Sequence, residues 1–279
     1  MTDLAIYEAS DARTERVWRH LEALARPPYS LSWGWIENWI ASLSRAPTLA
    51  VVFDDDGEPI AAAFEDLPVL RAPSFPELGM LSAEAFRVVI DREHAAHHVD
   101  LDTVRAVEGG YLSMLPAAMR AHLHHARHQL DTLEVEAATT PLQATAMFDE
   151  MLAMQGNHDD ALHRRLLDKR FPRGELQMLR IRTGNITLGS MLSSVWYGRV
   201  SYLATGFVSP ADADLCHAEA IEYNARCGHA FYDVLPLDAP RLATGESRHL
   251  VLGLYRRPPR MFDTSRNEAI ASWRRRFAS

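Results

Sequence analysis

ITLGSMLSSVW (186–196), YGR (197–199), VSYLATGFV (200–208), SPADADLCHAEAIEYNARCG (209–228) and HAFYDV (229–234) read together as one folded unit. Two apolar, β-compatible runs around a tight turn predict an antiparallel strand pair, SPADAD opens a helix with Ser209 as N-cap, and HAFYDV is a further strand. Such a unit sets a strand end beside a helix N-terminus, where backbone groups can hold an extended, anionic ligand.

Upstream, LQMLRIR and RTGN complete a hairpin with the run from Ile186, its turn at Thr183, Gly184 and Asn185. Thr140–Gln155 and His158–Phe171 read as two helices, the first opened by Thr140 and Pro141, the second stopped by Pro172 and Gly174. DTLEVEA (131–137) alternates as a strand should. Further back, a helix is expected over Leu115–Leu130 after a break at Gly109 and Gly110, and a short one over Ser82–Ile90. PTLAVVF, DDDG and EPIAAAFEDLPVL form a second hairpin signal between Thr48 and Leu70, a faint echo of the later one. LSWGWIENWIASL (31–43) places Trp35, Ile36, Trp39, Ile40 and Leu43 on one helical stripe, with Ser32 as N-cap and Trp33 off the stripe as a lid or cleft residue. Past Val234, a loop-like stretch leads to LVLGLYRR, a strand able to join the sheet, ended by Pro258 and Pro259. Asn267–Phe277 reads as a short amphipathic helix or tail.

The chain of 279 residues, 47% apolar and 24% charged, has the makeup of a globular protein with two modest cores. It lacks an apolar run long enough for a membrane span, and MTDLAIYEAS does not resemble a secretory signal, so a cytoplasmic location is expected. A net charge of −8 disfavours a broad polyanion-binding surface, and the arginines at 256, 257, 260 and 274–276 read as a charged tail.

Of 13 histidines, seven fall in HAAHH (94–98) and HLHHARH (122–128). On a helix His124 and His128 share a face at metal-ligand spacing, yet no third ligand is linked to them by spacing, so an exposed histidine-rich face is expected and no metal. The two cysteines, Cys216 and Cys227, lie too far apart along a helix for a disulfide and read as reduced, half-buried packing residues.

Leu31–Leu43, Gly184–Thr187, and Gly228 followed by Phe231, Tyr232 and Asp233 together resemble the GNAT superfamily of N-acetyltransferases. The likeness is to the branch with cellulose-biosynthesis-type acetyltransferases and Fem-type peptidoglycan aminoacyltransferases, which share an early Trp-containing helix and a helix-ending Gly before an aromatic-Asp strand. The resemblance implies an α/β fold with a mixed, mainly antiparallel sheet flanked by helices. It implies two lobes, a degenerate GNAT-like copy over 1–137 and the acyltransferase lobe over 138–279. It further implies that acyl-CoA, as donor, lies along Leu203, Ala204, Thr205, Gly206 and Phe207 with its pyrophosphate at the helix start near Ser209.

The glycine-rich pyrophosphate loop of typical members has no counterpart, and FVSPADADL (207–215) stands in its place. Asp212 and Asp214 suit the helix dipole, by up to about 1 kcal/mol each, but repel a pyrophosphate. Three donor readings follow: acyl-CoA, aminoacyl-tRNA, or none, in a non-catalytic partner subunit.

Acyl transfer to an amine of a small molecule or peptide needs a proton acceptor, donors for the carbonyl oxygen and an acid for the leaving group. Asp233 is the first candidate, because a carboxylate between apolar strand residues requires a partner. Tyr202 and His217 follow, each with a packing alternative, and Tyr232 points away from Asp233. Glu219 and Glu222 read as a solvated face, and Gly245, Glu246 and Arg248 as a loose counterpart of the branch's Gly-acidic pair and following basic residue.

Overall fold

The computed structural model describes residues 3–64, 67–73, 75, 86–130, 132–156, 160–234 and 242–256. The tail helix expected over 267–277, the stop at Pro258–Pro259, the arginines from Arg257 onward and most of the 235–244 loop lie outside them.

The first sheet is antiparallel, in the order β1 (Asp3–Glu8), β2 (Thr48–Phe53), β3 (Pro59–Phe64), β4 (Leu70–Arg71). The β2–β3 hairpin turns at Asp54, whose Oδ1 accepts from the amides of Asp56 and Glu58, an Asx-type turn in the DDDG segment. Helix α1 (Ala12–Ala25), capped by Asp11, crosses this sheet, and its Trp18 and Leu21 are fully buried against Leu49, Val51 and Phe64.

Helix α2 (Trp33–Ile40) begins at Ser32, whose Oγ accepts from the Trp35 amide. Its burial differs from the expected stripe. Trp33 is 6% exposed and Ile36 wholly buried, while Leu43 lies past the helix end and is exposed. Two anchors account for this: Trp18 Nε1 donates to Leu31 O at 2.8 Å, and the Trp33 amide donates to the Glu22 carboxylate at 2.7 Å, turning Trp33 toward α1.

The second sheet has seven strands in the order β11 (Gly245–Arg256), β5 (Phe86–Asp100), β10 (Phe231–Val234), β9 (Arg199–Phe207), β8 (Ile186–Trp196), β7 (Leu176–Thr183), β6 (Glu134–Ala137). All neighbours are antiparallel except β9 and β10, which run parallel. Both late hairpins close through two-residue turns, Gly184–Asn185 and Tyr197–Gly198. Tyr197 and Gly198 both have positive φ, 49° and 75°, as a turn matching strand twist requires.

The part of Ser82–Ile90 that is described, Phe86–Ile90, is strand and not helix. Its ladder partners are Leu252–Arg256, more than 150 residues on, so only long-range pairing fixes its conformation. Position 137/138 falls between β6 and α6, and strands on both sides of it belong to this one sheet.

Helices cover both faces. On one lie α6 (Pro141–Gln155), capped by Thr140 and ended by left-handed Gly156, and α7 (Ala161–Arg170), which bury Phe148, Met151 and Leu166 against Met178 and Leu192. On the other lies α8 (Pro210–Arg226), itself roofed by α3 (Leu101–Ala106), α4 (Gly110–Met114) and α5 (Ala117–His128).

Because α8 is sandwiched, its polar residues are not a solvated face. Glu219 is 6% exposed, facing Arg127 of α5 at 2.7 Å, and Glu222 accepts from the Tyr111 amide at the start of α4 at 2.6 Å. Arg105 donates to Ala225 O and His229 O, closing the α8 C-terminus. The cysteines separate: Cys216 is buried and Cys227, at the C-cap, is exposed. His122, His124, His125 and His128 are exposed on α5.

The two sheets are joined by a charge cluster around one buried arginine. Arg170 of α7, 3% exposed, pairs with Glu37 of α2 and with Glu175. Gly34 admits this contact, since a Cβ there would stand 2.6 Å from Glu175 Oε2.

Candidate functional site

β9 and β10 pair at three positions only, Arg199/Phe231, Val200/Tyr232 and Ser201/Asp233. β10 ends one residue later, at Val234, while β9 runs on to Phe207, paired among the described residues to β8 alone. Among the described residues no strand pairs with the β10-facing edge of β9 from Leu203 to Phe207, and this edge leads to the N-terminus of α8. All six residues expected to line a carrier, Leu203, Ala204, Thr205, Gly206, Phe207 and Ser209, lie along this path.

Leu203 is bulged: Tyr202 faces Ser193, and Ala204 faces the next residue, Leu192. A bulge inverts the alternation of side chains. Val200 and Tyr202 pack toward α8; past the bulge Ala204 packs toward α6, as does Gly206, while Phe207 returns to the α8 side. A Cβ on Gly206 would lie 2.3 Å from Met151 O, so glycine is what lets α6 sit directly on β9. Gln155, at the end of α6, donates to Thr205 O at 2.6 Å.

At the α8 start, Ser209 Oγ accepts from the Asp212 amide and donates to Asp212 Oδ2 at 2.7 Å. Pro210 has no N–H to offer. Few first-turn amides therefore remain for an anion, and a carboxylate stands among them.

The three expected catalytic residues are divided between the faces of the sheet. On the α8 side, Tyr202 and His217 meet with ring centroids 4.8 Å apart, and His217 Nδ1 lies 3.1 Å from the Tyr232 hydroxyl. His217 is 3% exposed, an interior residue and not a surface histidine. On the opposite face stands Asp233. Its Oδ1 accepts from Arg199 Nη1 and its Oδ2 from the Ser201 hydroxyl. The Arg199 guanidinium also lies over the Phe231 ring, 4.8 Å from its centroid.

In-register partners share a sheet face, so the Asp233 face carries two cross-strand rows. One runs Gly245, His98, Asp233, Ser201, Ser194; the other Asp100, Phe231, Arg199, Trp196. His98 and Phe231 meet edge to face at 5.3 Å, and Gly245 makes room for the imidazole, since a Cβ there would be 2.9 Å from His98 Nε2. Glu246 Oε2 is 4.0 Å from His97 Nδ1. At the Trp196 end the first sheet's elements reach over: Tyr29 packs on the indole at 5.8 Å, and Arg26 lies 5.8 Å from the Tyr197 ring.

Burial pushes the Cys216 thiol well above its usual range, aided by Asp212 and Glu219, so Cys216 is packing and not a nucleophile. Among the described residues no group of three His, Cys, Asp or Glu side chains is placed to hold a metal, and no helix is long and apolar enough to cross a membrane.

Residues 117–241 match the family described as "Acetyltransferase (GNAT) domain", and this stretch is a domain of the GNAT superfamily. The match takes in β6–β10 with α5–α8 and leaves out β5, which the same sheet holds. Two solved structures share the two-sheet fold at low identity. FemX is 9% identical with a TM-score of 0.57, over 90% of this chain and 96% of that one. A conserved protein of unknown function from Bacteroides thetaiotaomicron VPI-5482 is 12% identical with a TM-score of 0.52, over 91% and 100%. No curated protein matches the chain significantly in sequence.

Sequence reasoning did not find Arg199, Ser201, His98 or Trp196. Each becomes visible only through strand register, and Ser201 and Arg199 are 32 and 34 residues from Asp233.

Proposed function

We propose that this protein is an N-acyltransferase that moves an acyl group from acyl-CoA to the amine of a small molecule or peptide. The observation that carries this reading is the end of the β9–β10 pairing at Ser201 and Asp233, past which no described strand covers that edge of β9, next to a carboxylate.

An acyl-CoA, when bound, supplies an activated thioester carbonyl. The edge of β9 from Leu203 to Phe207 offers main-chain groups for its pantetheine arm, a strand-addition contact. Ser209 and the α8 amides left open beyond it meet the phosphates. Asp233 holds the acceptor's ammonium group on the opposite face from α8. Tyr202 is the first residue of β9 past the segment paired with β10. It protonates the leaving sulfur, and His217 in ring contact holds it in place. The seven-stranded sheet with α8 provides this machinery, and the elements around the first sheet close the acceptor side, with Tyr29 and Arg26 over Trp196 and Tyr197.

One feature favours a second donor. Pro210 and the Asp212 carboxylate occupy the α8 start, where a pyrophosphate would rest. An aminoacyl-tRNA, which brings an activated ester without a pyrophosphate at that point, avoids the conflict.

Thermal unfolding with acetyl-CoA tests the first reading. A rise in Tm is expected, since a ligand at 100 times its Kd stabilises by about 2.7 kcal/mol, together with release of free thiol when amines are added. An unchanged Tm with acetyl-CoA and a salt-sensitive mobility shift with charged tRNA would replace it with the second.

A further inference from the structure

We propose that the acceptor is a zwitterion of the amino-acid type, an amine close to a carboxylate, bound by the paired Asp233 and Arg199. The inference rests on the acyltransferase reading above and names the substrate class of that same site.

Arg199 and Asp233 face one another while 32% and 27% exposed, respectively, so both can be reached. A zwitterion is the electrostatic complement of such a pair. Its ammonium replaces the guanidinium at Asp233 and its carboxylate replaces the carboxylate at Arg199, so no charge is left without a partner. A plain amine would satisfy Asp233 but leave Arg199 without its anion.

A second observation flanks the pair on both sides. In the Asp233 row, the neighbour one strand over is His98, whose Nδ1 is buried with no hydrogen-bond partner among the described residues. In the Arg199 row, the neighbour one strand over is Trp196, whose Nε1 is likewise buried and unpartnered. Buried polar atoms are rarely left so without a ligand or water to complete them. Adjacent strands are about 4.8 Å apart, so His98 stands one strand from the Asp233 end of the zwitterion and Trp196 one strand from the Arg199 end. The indole N–H donates to the carboxylate; the imidazole nitrogen accepts from the amine.

His98 has a reason to be the proton acceptor, because Asp233 Oδ2 accepts from Ser201, and its Oδ1, which accepts from Arg199 in the free protein, takes the acceptor's ammonium in the complex. The ammonium first loses one proton to water. As the C–N bond forms, the second proton passes from the amine to His98 Nδ1. As the C–S bond breaks, the sulfur takes the Tyr202 hydroxyl proton, and the imidazolium proton returns to the phenolate through solvent. The products are an amide and free thiol, with the protein unchanged. His98 lies outside residues 117–241, so the segment before the GNAT domain would supply a catalytic side chain.

The test uses the full chain and the twenty common amino acids, each beside its carboxamide and its des-amino acid. Calorimetry without donor reports binding; thiol release from acetyl-CoA reports transfer. At least one free amino acid should bind and be acylated at least tenfold better, in kcat/KM, than its amide. Arg199→Gln should abolish that preference, Trp196→Phe should raise KM for the free acid with little change in kcat, and His98→Gln should lower kcat at nearly unchanged KM. Equal turnover of acid and amide, or binding of no amino acid, would overturn the proposal. Amino-acid binding without acetyl-CoA binding would support the acceptor class while overturning the donor reading, so the two can fail separately.

Discussion

Ser201 and Asp233 sit directly opposite one another at the last position where β9 and β10 pair, and the Ser201 hydroxyl donates to the Asp233 carboxylate. Their contact closes the paired segment. The candidate site therefore combines a strand edge that no described strand covers, a carboxylate, and on the far face half-buried Tyr202 in contact with buried His217.

Asp233→Asn should lower kcat for acyl transfer by about 100-fold or more, the range for losing a group that handles the reacting proton or ammonium. The Asp233–Arg199 pair is about a third exposed, so stability should fall by only about 0–1 kcal/mol. Steady-state kinetics and urea unfolding on one preparation separate the effects. Full turnover in the variant removes Asp233 from the site.

Gly206→Ala places a methyl 2.3 Å from Met151 O. Main chain cannot swing aside as a side chain can, so α6 must shift off β9, at a cost of about 1–3 kcal/mol. Urea unfolding should show this as a lower midpoint at unchanged slope. A variant as stable as the parent would mean that α6 does not rest on β9.

Glu22 is 6% exposed, and burial raises its pKa above the ordinary 4.5, with the Trp33 amide opposing the rise. A raised acid favours the folded state while neutral. That contribution is present below about pH 4.5 and is lost as pH rises through the higher folded value. Glu22→Gln keeps an acceptor for Trp33 and never ionises. Its stability relative to the parent should therefore grow between pH 4 and pH 7, as measured by unfolding at several pH values. A constant or shrinking difference contradicts the assignment.

Much of the second sheet was legible because local chemistry marks it. Gly184 sits at the β7–β8 turn, Thr140 and Ser209 cap α6 and α8, and apolar runs fill the strands between. β5 was not legible, since Phe86–Ile90 finds its partners only in β11. Nor were the burial of Trp33, set by Glu22, and of Glu219, set by Arg127. Of the site, Asp233 stood out as a carboxylate among apolar strand residues. Its separation from Tyr202 and His217 depends on α8 packing against one face of the sheet, which no spacing encodes.

In the proposed reaction the edge of β9 from Leu203 to Phe207 receives the pantetheine arm of an acyl-CoA. Backbone amide hydrogen exchange across Tyr202–Phe207, with and without acetyl-CoA, tests it most directly. Slower exchange confined to this stretch and the start of α8 is expected, with β7 amides unaffected. Unchanged exchange at Tyr202–Phe207 under saturating acetyl-CoA would contradict it.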